Sequence, residues 1–161
     1  MGIDSYNCGF ALIRLERYAE SLPLMLAARN YLKKAKEPEK VYYCDEYLAV
    51  SYSELKNGVE ATTHAQKCLD FAQSAQNEAL ETWARYRLGC AKVLLGEFDE
   101  AEDLLRQALA TNVHAGNTDW DLAIELEKEI ANILVIKGLV GEANEIKRRI
   151  ATIEDTMKDE D

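Results

Sequence analysis

LLGEFDEAEDLLRQAL, residues Leu94 to Leu109, sets a glycine and a knot of acidic residues between two runs of helical character. A glycine ahead of a helix reads in two ways: as a loop that holds an anionic ligand, or as a bare connection between two helices. Sliding the sequence against itself decides between them. The thirty residues from Cys8 (CGFALIRLERYAES…) align with those from Leu48 (LAVSYSELKNGVEA…), from Leu88 (LGCAKVLLGEFDEA…) and from Ile130 (IANILVIKGLVGEA…), at offsets of 40, 40 and 42 residues. The quoted stretch is therefore one copy of a recurring punctuation, repeated more weakly as KNGVEA and KGLVGEA.

Four columns carry the alignment. A small residue recurs at Gly9, Ala49, Gly89 and Ala131, and a turn position at Glu16, Lys56, Gly96 and Gly138. A second small column holds Ser21, Ala61, Ala101 and Ala143; a third holds Ala28, Cys68 and Ala108 and lapses at Ile150. Between units, AKEP, AQNE and AGNT begin at Ala35, Ala75 and Ala115. These carry helix-start residues: Pro38 suits a first helical position, and Asn77 and Thr118 suit N-caps, Thr118 with Asp121 as a loose capping box. Small residues recur where backbones must approach, so each unit reads as two helices joined by a short turn. The expected helices are 3–15, 19–36, 38–56, 59–76, 78–95, 99–115, 118–137 and 140–158, with Pro23 in the first turn of the second.

Within the opening stretch, Gly96 reads as the left-handed stop of one helix. Asp99 reads as the N-cap of the next, with Glu102 completing a capping-box-like pair and Phe98 packed into the junction.

Composition agrees. Of 161 residues, 48% are hydrophobic and 30% charged, with two prolines, which suits a folded helical chain rather than a disordered one. The net charge of −10 argues against a nucleic-acid surface, which needs a basic face. Local basic clusters (Lys33, Lys34, Lys36; Lys147, Arg148, Arg149) have acids close by and read as solvated helix faces. No run approaches the ~18 apolar residues of a membrane span. Cys8, Cys44, Cys68 and Cys90 are too scattered for a metal site and read as small buried thiols of a reducing, cytoplasmic compartment. His64 and His114 are isolated among polar residues and read as surface positions. No catalytic motif is present, and neither enzymatic activity nor a cofactor or metal is expected.

The small columns, the turn ahead of an acidic-alanine pair, the Leu88-Gly89 dipeptide and GEFDEA (Gly96 to Ala101) resemble the tetratricopeptide repeat, in a longer form of 40–42 residues. The resemblance covers nearly the whole chain. It implies an all-α, right-handed superhelical solenoid of four antiparallel helix pairs, forming a single domain over 1–161. Repeats are expected at about 2–37, 38–77, 78–117 and 118–158, with an acidic tail at 159–161. In the last helix Ile146, Ile150, Ile153 and Met157 form a narrow apolar stripe, suited to a capping helix. The first helix lacks the leading turn of its later counterparts, which points to a segment of a longer array.

In that family the first helix of each pair lines the concave face. The resemblance therefore places Tyr6, Asn7 and Phe10 there from the first unit, and Tyr43, Glu46, Tyr47 and Val50 from the second. Trp83, Tyr86, Arg87 and Cys90 come from the third; Glu125, Lys128, Glu129 and Asn132 form a more polar set in the fourth. Of these, Tyr6, Asn7, Phe10, Tyr43, Tyr47, Trp83, Tyr86 and Arg87 are the expected peptide-binding residues. Aromatic rings offer large contact area at small entropic cost, and ~100 Å² buried on each of three rings contributes about 7 kcal/mol gross. The lysine-asparagine clamp by which some members hold a chaperone's C-terminal carboxylate is missing. Tyr6, Phe10 and Tyr47 stand in its first-repeat and second-repeat places, and only Arg87 is clamp-like.

The expected function is a non-enzymatic scaffold that holds a peptide segment of a protein partner on this aromatic face. A second reading is a peptide-sensing regulatory domain of a larger signalling or transcription-regulating protein. A third is architectural, with stacking through the first repeat making a homo-oligomer.

Overall fold

The computed structural model describes residues 2–114 and 119–158, with side chains to Val113 and from Asp119 to Asp155. The expected cap at Thr118, the Ala115 marker, the side chains of His114 and Met157, and the tail 159–161 lie outside the described residues.

Among the described residues there are eight helices and no strand: α1 (Gly2–Arg14), α2 (Tyr18–Lys34), α3 (Pro38–Glu54), α4 (Gly58–Ser74), α5 (Glu78–Leu94), α6 (Phe98–His114), α7 (Trp120–Ile136) and α8 (Val140–Lys158). None is long and apolar enough to cross a membrane.

At six of the junctions among the described residues the helices stop where they do because the same three-residue turn is used. Its middle residue is left-handed at Glu16, Lys36, Lys56, Gln76, Gly96 and Gly138, with φ between 51° and 80°. At the turn after α3, Asn57 N–H donates to the Tyr52 carbonyl at 2.8 Å and Lys56 N–H to that of Ser53 at 3.0 Å, a Schellman closure. The Asn57 carbonyl then accepts from Ala61 N–H at 3.0 Å, so the residue that closes one helix also opens the next. The same bonds recur around Arg17, Glu37, Asn77, Glu97 and Leu139.

This rule corrects the expected caps. Asn77 does cap α5, accepting from Leu80 N–H at 3.1 Å, and Pro38 stands at the start of α3. Asp99, however, does not cap α6: the turn hands that place to Glu97, and Asp99 instead accepts from Lys137 Nζ at 2.7 Å, with Glu102 beside it at 2.9 Å. For α7 the cap is Asp119, which accepts from Leu122 N–H at 3.0 Å. Pro23 lies inside α2 rather than in its first turn. Its missing N–H withdraws the helical partner of the Ala19 carbonyl, on an exposed face where the carbonyl is open to solvent.

Successive helices pack side by side, and the small columns are what let them. Ser21, Ala61, Ala101 and Ala143 are all fully buried. At Gly89 a Cβ would sit 2.8 Å from Leu105, so α5 and α6 meet at a distance only glycine permits. Beyond these pairs, α1 touches α3, α3 touches α5 and α5 touches α7, whereas no two even-numbered helices meet among the described residues. The odd helices therefore form the inner side of a curved stack.

A buried polar cluster ties α2, α3 and α4 together. Arg29 Nε donates to Asp45 Oδ1 at 2.7 Å, and His64 Nδ1 lies 2.5 Å from the same oxygen. The His64 ring also stacks on Tyr52, 5.6 Å between centroids. This overturns the expected surface position of His64, which is 4% exposed. Its sequence neighbours are polar, but it lies on the helical stripe with Ala61, Ala65 and Cys68, all fully buried. Cys44 and Cys68 are buried as expected and Cys90 partly so, but Cys8 is exposed on the outer flank of α1.

Two predictions follow from the turns and the cluster. Gly96→Ala, which meets no atom within 4 Å, lowers stability through backbone strain alone by about 1 kcal/mol, while Lys56→Gly at the matching turn raises it by about 0.5 kcal/mol. Asp45→Ala strands Arg29 and costs about 3 kcal/mol. Urea denaturation midpoints of the three variants check both.

Candidate functional site

The inner face carries two aromatic groups. Tyr6 and Phe10 on α1 pack on Tyr47 of α3, with ring centroids 6.1 and 5.2 Å away. On α5, Trp83 meets Tyr86 edge to face at 6.0 Å, and the Arg87 guanidinium lies over both rings at 5.3 and 5.1 Å. A helical spacing of three or four residues gives each group its common face. Glu46 of α3 joins them, 3.6 Å from Arg87 Nε, which is buried and makes no hydrogen bond among the described residues.

The eight expected residues do not share one environment. Tyr6, Phe10, Tyr47, Trp83 and Arg87 are half-buried and present part of a side chain outward; Asn7 is exposed. Tyr43 leans edge-on against the buried Tyr42 at 5.4 Å and packs on the α3–α5 core. Tyr86 is 9% exposed and belongs to the core of the third and fourth units, so it backs the surface and supports Trp83 and Arg87 from below.

Beyond Arg87 the face deepens into a cleft of about 290 Å³ between α3, α5 and α7, reaching Val50, Ser53, Lys56, Cys90 and Glu129. Ser53 was not among the residues expected on this face, and Lys56 was expected only as a turn residue. Ser53 lies three residues beyond Val50, so the helical repeat that placed Val50 could have found it. Lys56 is the left-handed residue of the turn and follows no helical stripe.

Two acids, Glu54 and Glu129, and two bases, Lys56 and Arg87, line this cleft. Burial raises the Glu129 carboxyl, and the nearby Glu125 charge raises it further, against the opposing pull of Lys56. Burial likewise raises Glu46, opposed by Arg87. The Cys90 thiol is pushed up to about 12, chiefly by burial, and stays protonated at neutral pH. Such a thiol packs rather than attacks.

A carboxyl whose folded pKa lies above its unfolded one costs stability once ionised. That cost is complete above the folded value and absent below the ordinary value of 4.5. Glu129→Gln should therefore stabilise the fold at pH 7, with the advantage shrinking as pH falls through the raised value. Urea midpoints of the pair at pH 7 and pH 4 read this; an equal gain at both would contradict the burial assignment.

Residues 42–112 match a family model described as the tetratricopeptide repeat. Comparison of the sequence with curated proteins gives no match. Among solved structures, the apo form of RapI superposes with a TM-score of 0.86 at 14% identity, over 98% of this chain and 57% of that one. Aspartyl phosphate phosphatase F from Bacillus subtilis superposes with a TM-score of 0.83 at 16% identity, over 98% of this chain and 41% of that one. The chain thus spans about half the length of these neighbours, and the likeness to them is one of fold. The family model thus lies across α3 to α6, and the same turn and helix pairing repeats on either side of the matched residues, so the chain has the fold of a tetratricopeptide-like helical solenoid.

Proposed function

We propose that this chain is a non-enzymatic interaction module that seats a peptide segment of a protein partner along the inner face of α1, α3, α5 and α7. The observation that carries the reading is Arg87, whose guanidinium is held over Trp83 and Tyr86 with its Nε buried toward Glu46 while the side chain stays partly exposed on the face. A guanidinium so held keeps donors for a backbone carbonyl or carboxylate of the segment. Trp83 on one side, and Tyr6, Phe10 and Tyr47 on the other, supply partly exposed rings for its apolar side chains. Glu46, Glu54, Glu125 and Glu129 outnumber the basic residues of this face, which favours a segment that also carries lysine or arginine.

A second reading has the same groove serve as the sensing part of a larger regulatory protein. It is supported by the solved neighbours, whose chains extend well beyond the portion this chain matches, one of them named a phosphatase.

The test is a partner captured with the wild-type chain, identified, and its affinity measured. Trp83→Ala combined with Tyr47→Ala should retain helical content and thermal unfolding cooperativity while weakening that partner at least tenfold, since buried aromatic anchors carry about 1–2 kcal/mol each or more. Unchanged affinity in a folded double variant would remove the inner face from consideration.

A further inference from the structure

A second pocket lies on the opposite side of the stack. Because α2 and α4 do not meet, the cleft between them stays open above the first half of α3. It encloses about 460 Å³ and is floored by Val41 of α3 and Phe71 of α4. Arg29 and Lys33 from α2, Lys36 from the α2–α3 turn and Lys67 from α4 stand around it. Two acids also line it, and both are engaged: Asp45 holds Arg29 and His64, and Glu37 lies 3.5 Å from Lys40. Lys33, Lys36 and Lys67 are exposed and form no ion pair among the described residues.

Three uncompensated ammonium groups around one pocket are unexpected in a chain of net charge −10. Lys92 pairs with Glu97 and Glu100, Lys128 with Glu125, and Lys137 with Asp99 and Glu102, while Lys34, Lys56 and Lys147 stand singly without an ion pair among the described residues; Lys33, Lys36 and Lys67 differ in that they surround one pocket. Acids more than about 10 Å away are screened by salt and do not neutralise the pocket. A volume of this size suits a small ligand or one bulky side chain with its neighbours. The floor is apolar and the rim cationic.

We propose that this outer cleft binds an organic anion, an aromatic or branched apolar group attached to phosphate, sulfonate or clustered carboxylates. The apolar part rests on Phe71 and Val41. The negative charges reach Lys33, Lys36 and Lys67. A free small molecule and an acidic peptide segment with one aromatic residue both have this chemistry. The site is independent of the inner face.

The experiment titrates the full chain, by calorimetry and by amide chemical shifts, with phenyl phosphate and separately with the capped peptide Asp-Glu-Phe-Glu-Asp. The variant Lys33→Ala/Lys67→Ala, whose side chains are exposed and form no ion pair among the described residues, is titrated alongside, with its fold checked by helical content. Saturable binding of either probe, weakened at least tenfold in the variant and by raised salt, supports the assignment. Phenyl phosphate alone identifies a small-molecule site; the peptide alone identifies a protein segment. Binding of neither probe, or binding of equal strength in the variant, overturns the proposal. Loss of inner-face affinity in Trp83→Ala/Tyr47→Ala leaves these titrations unchanged, so the two readings fail separately.

Discussion

The whole architecture rests on a backbone constraint: one left-handed residue placed between two helices with only one residue on each side. That residue turns the chain back sharply, and the Schellman bonds around it satisfy carbonyls that the helix end would otherwise leave open. From Glu16 to Gly96 it recurs every twenty residues, at 16, 36, 56, 76 and 96. From α1 to α6, helices of nearly equal length stacked through the same turn have little freedom except curvature. Gly96 and Gly138 accept the conformation without strain; Glu16, Lys36, Lys56 and Gln76 adopt it at a cost that the surrounding packing offsets.

This constraint also explains what was legible in the sequence. A period of forty with small residues at fixed positions located every helix within two residues, since the small columns and the turns are one pattern seen twice. Asp99 was misread because a good capping side chain was given priority over the turn. Once Gly96 is left-handed, the next helix opens at Glu97 whatever its side chain prefers. His64 was misread through its neighbours in sequence rather than its neighbours on the helix, and Cys8 because burial was assigned by residue type.

The candidate site was legible in proportion to its dependence on helical spacing. Tyr6, Phe10 and Tyr47 stand together because homologous heights on α1 and α3 meet, and Trp83 and Arg87 share a face by the same rule. What spacing could not supply was depth. Tyr86 stands one helical turn from Cys90 and three residues from Trp83, yet it faces the core of the next repeat, a matter of the curvature between repeats. Glu46, bridging to Arg87, and Lys56, entering the cleft from a turn, are likewise set by how one repeat sits on the next.

The asymmetry between odd and even helices has a mechanical side. Contacts run along the odd helices from α1 to α7, while the even ones stand apart. Such a stack resembles a beam whose length is fixed along one edge. Flexing it hardly stretches the inner seam, and the gaps between α2, α4, α6 and α8 widen or narrow instead. Softness and rigidity are thereby divided between two faces of the same molecule: the inner surface keeps its shape, and the outer one absorbs the motion.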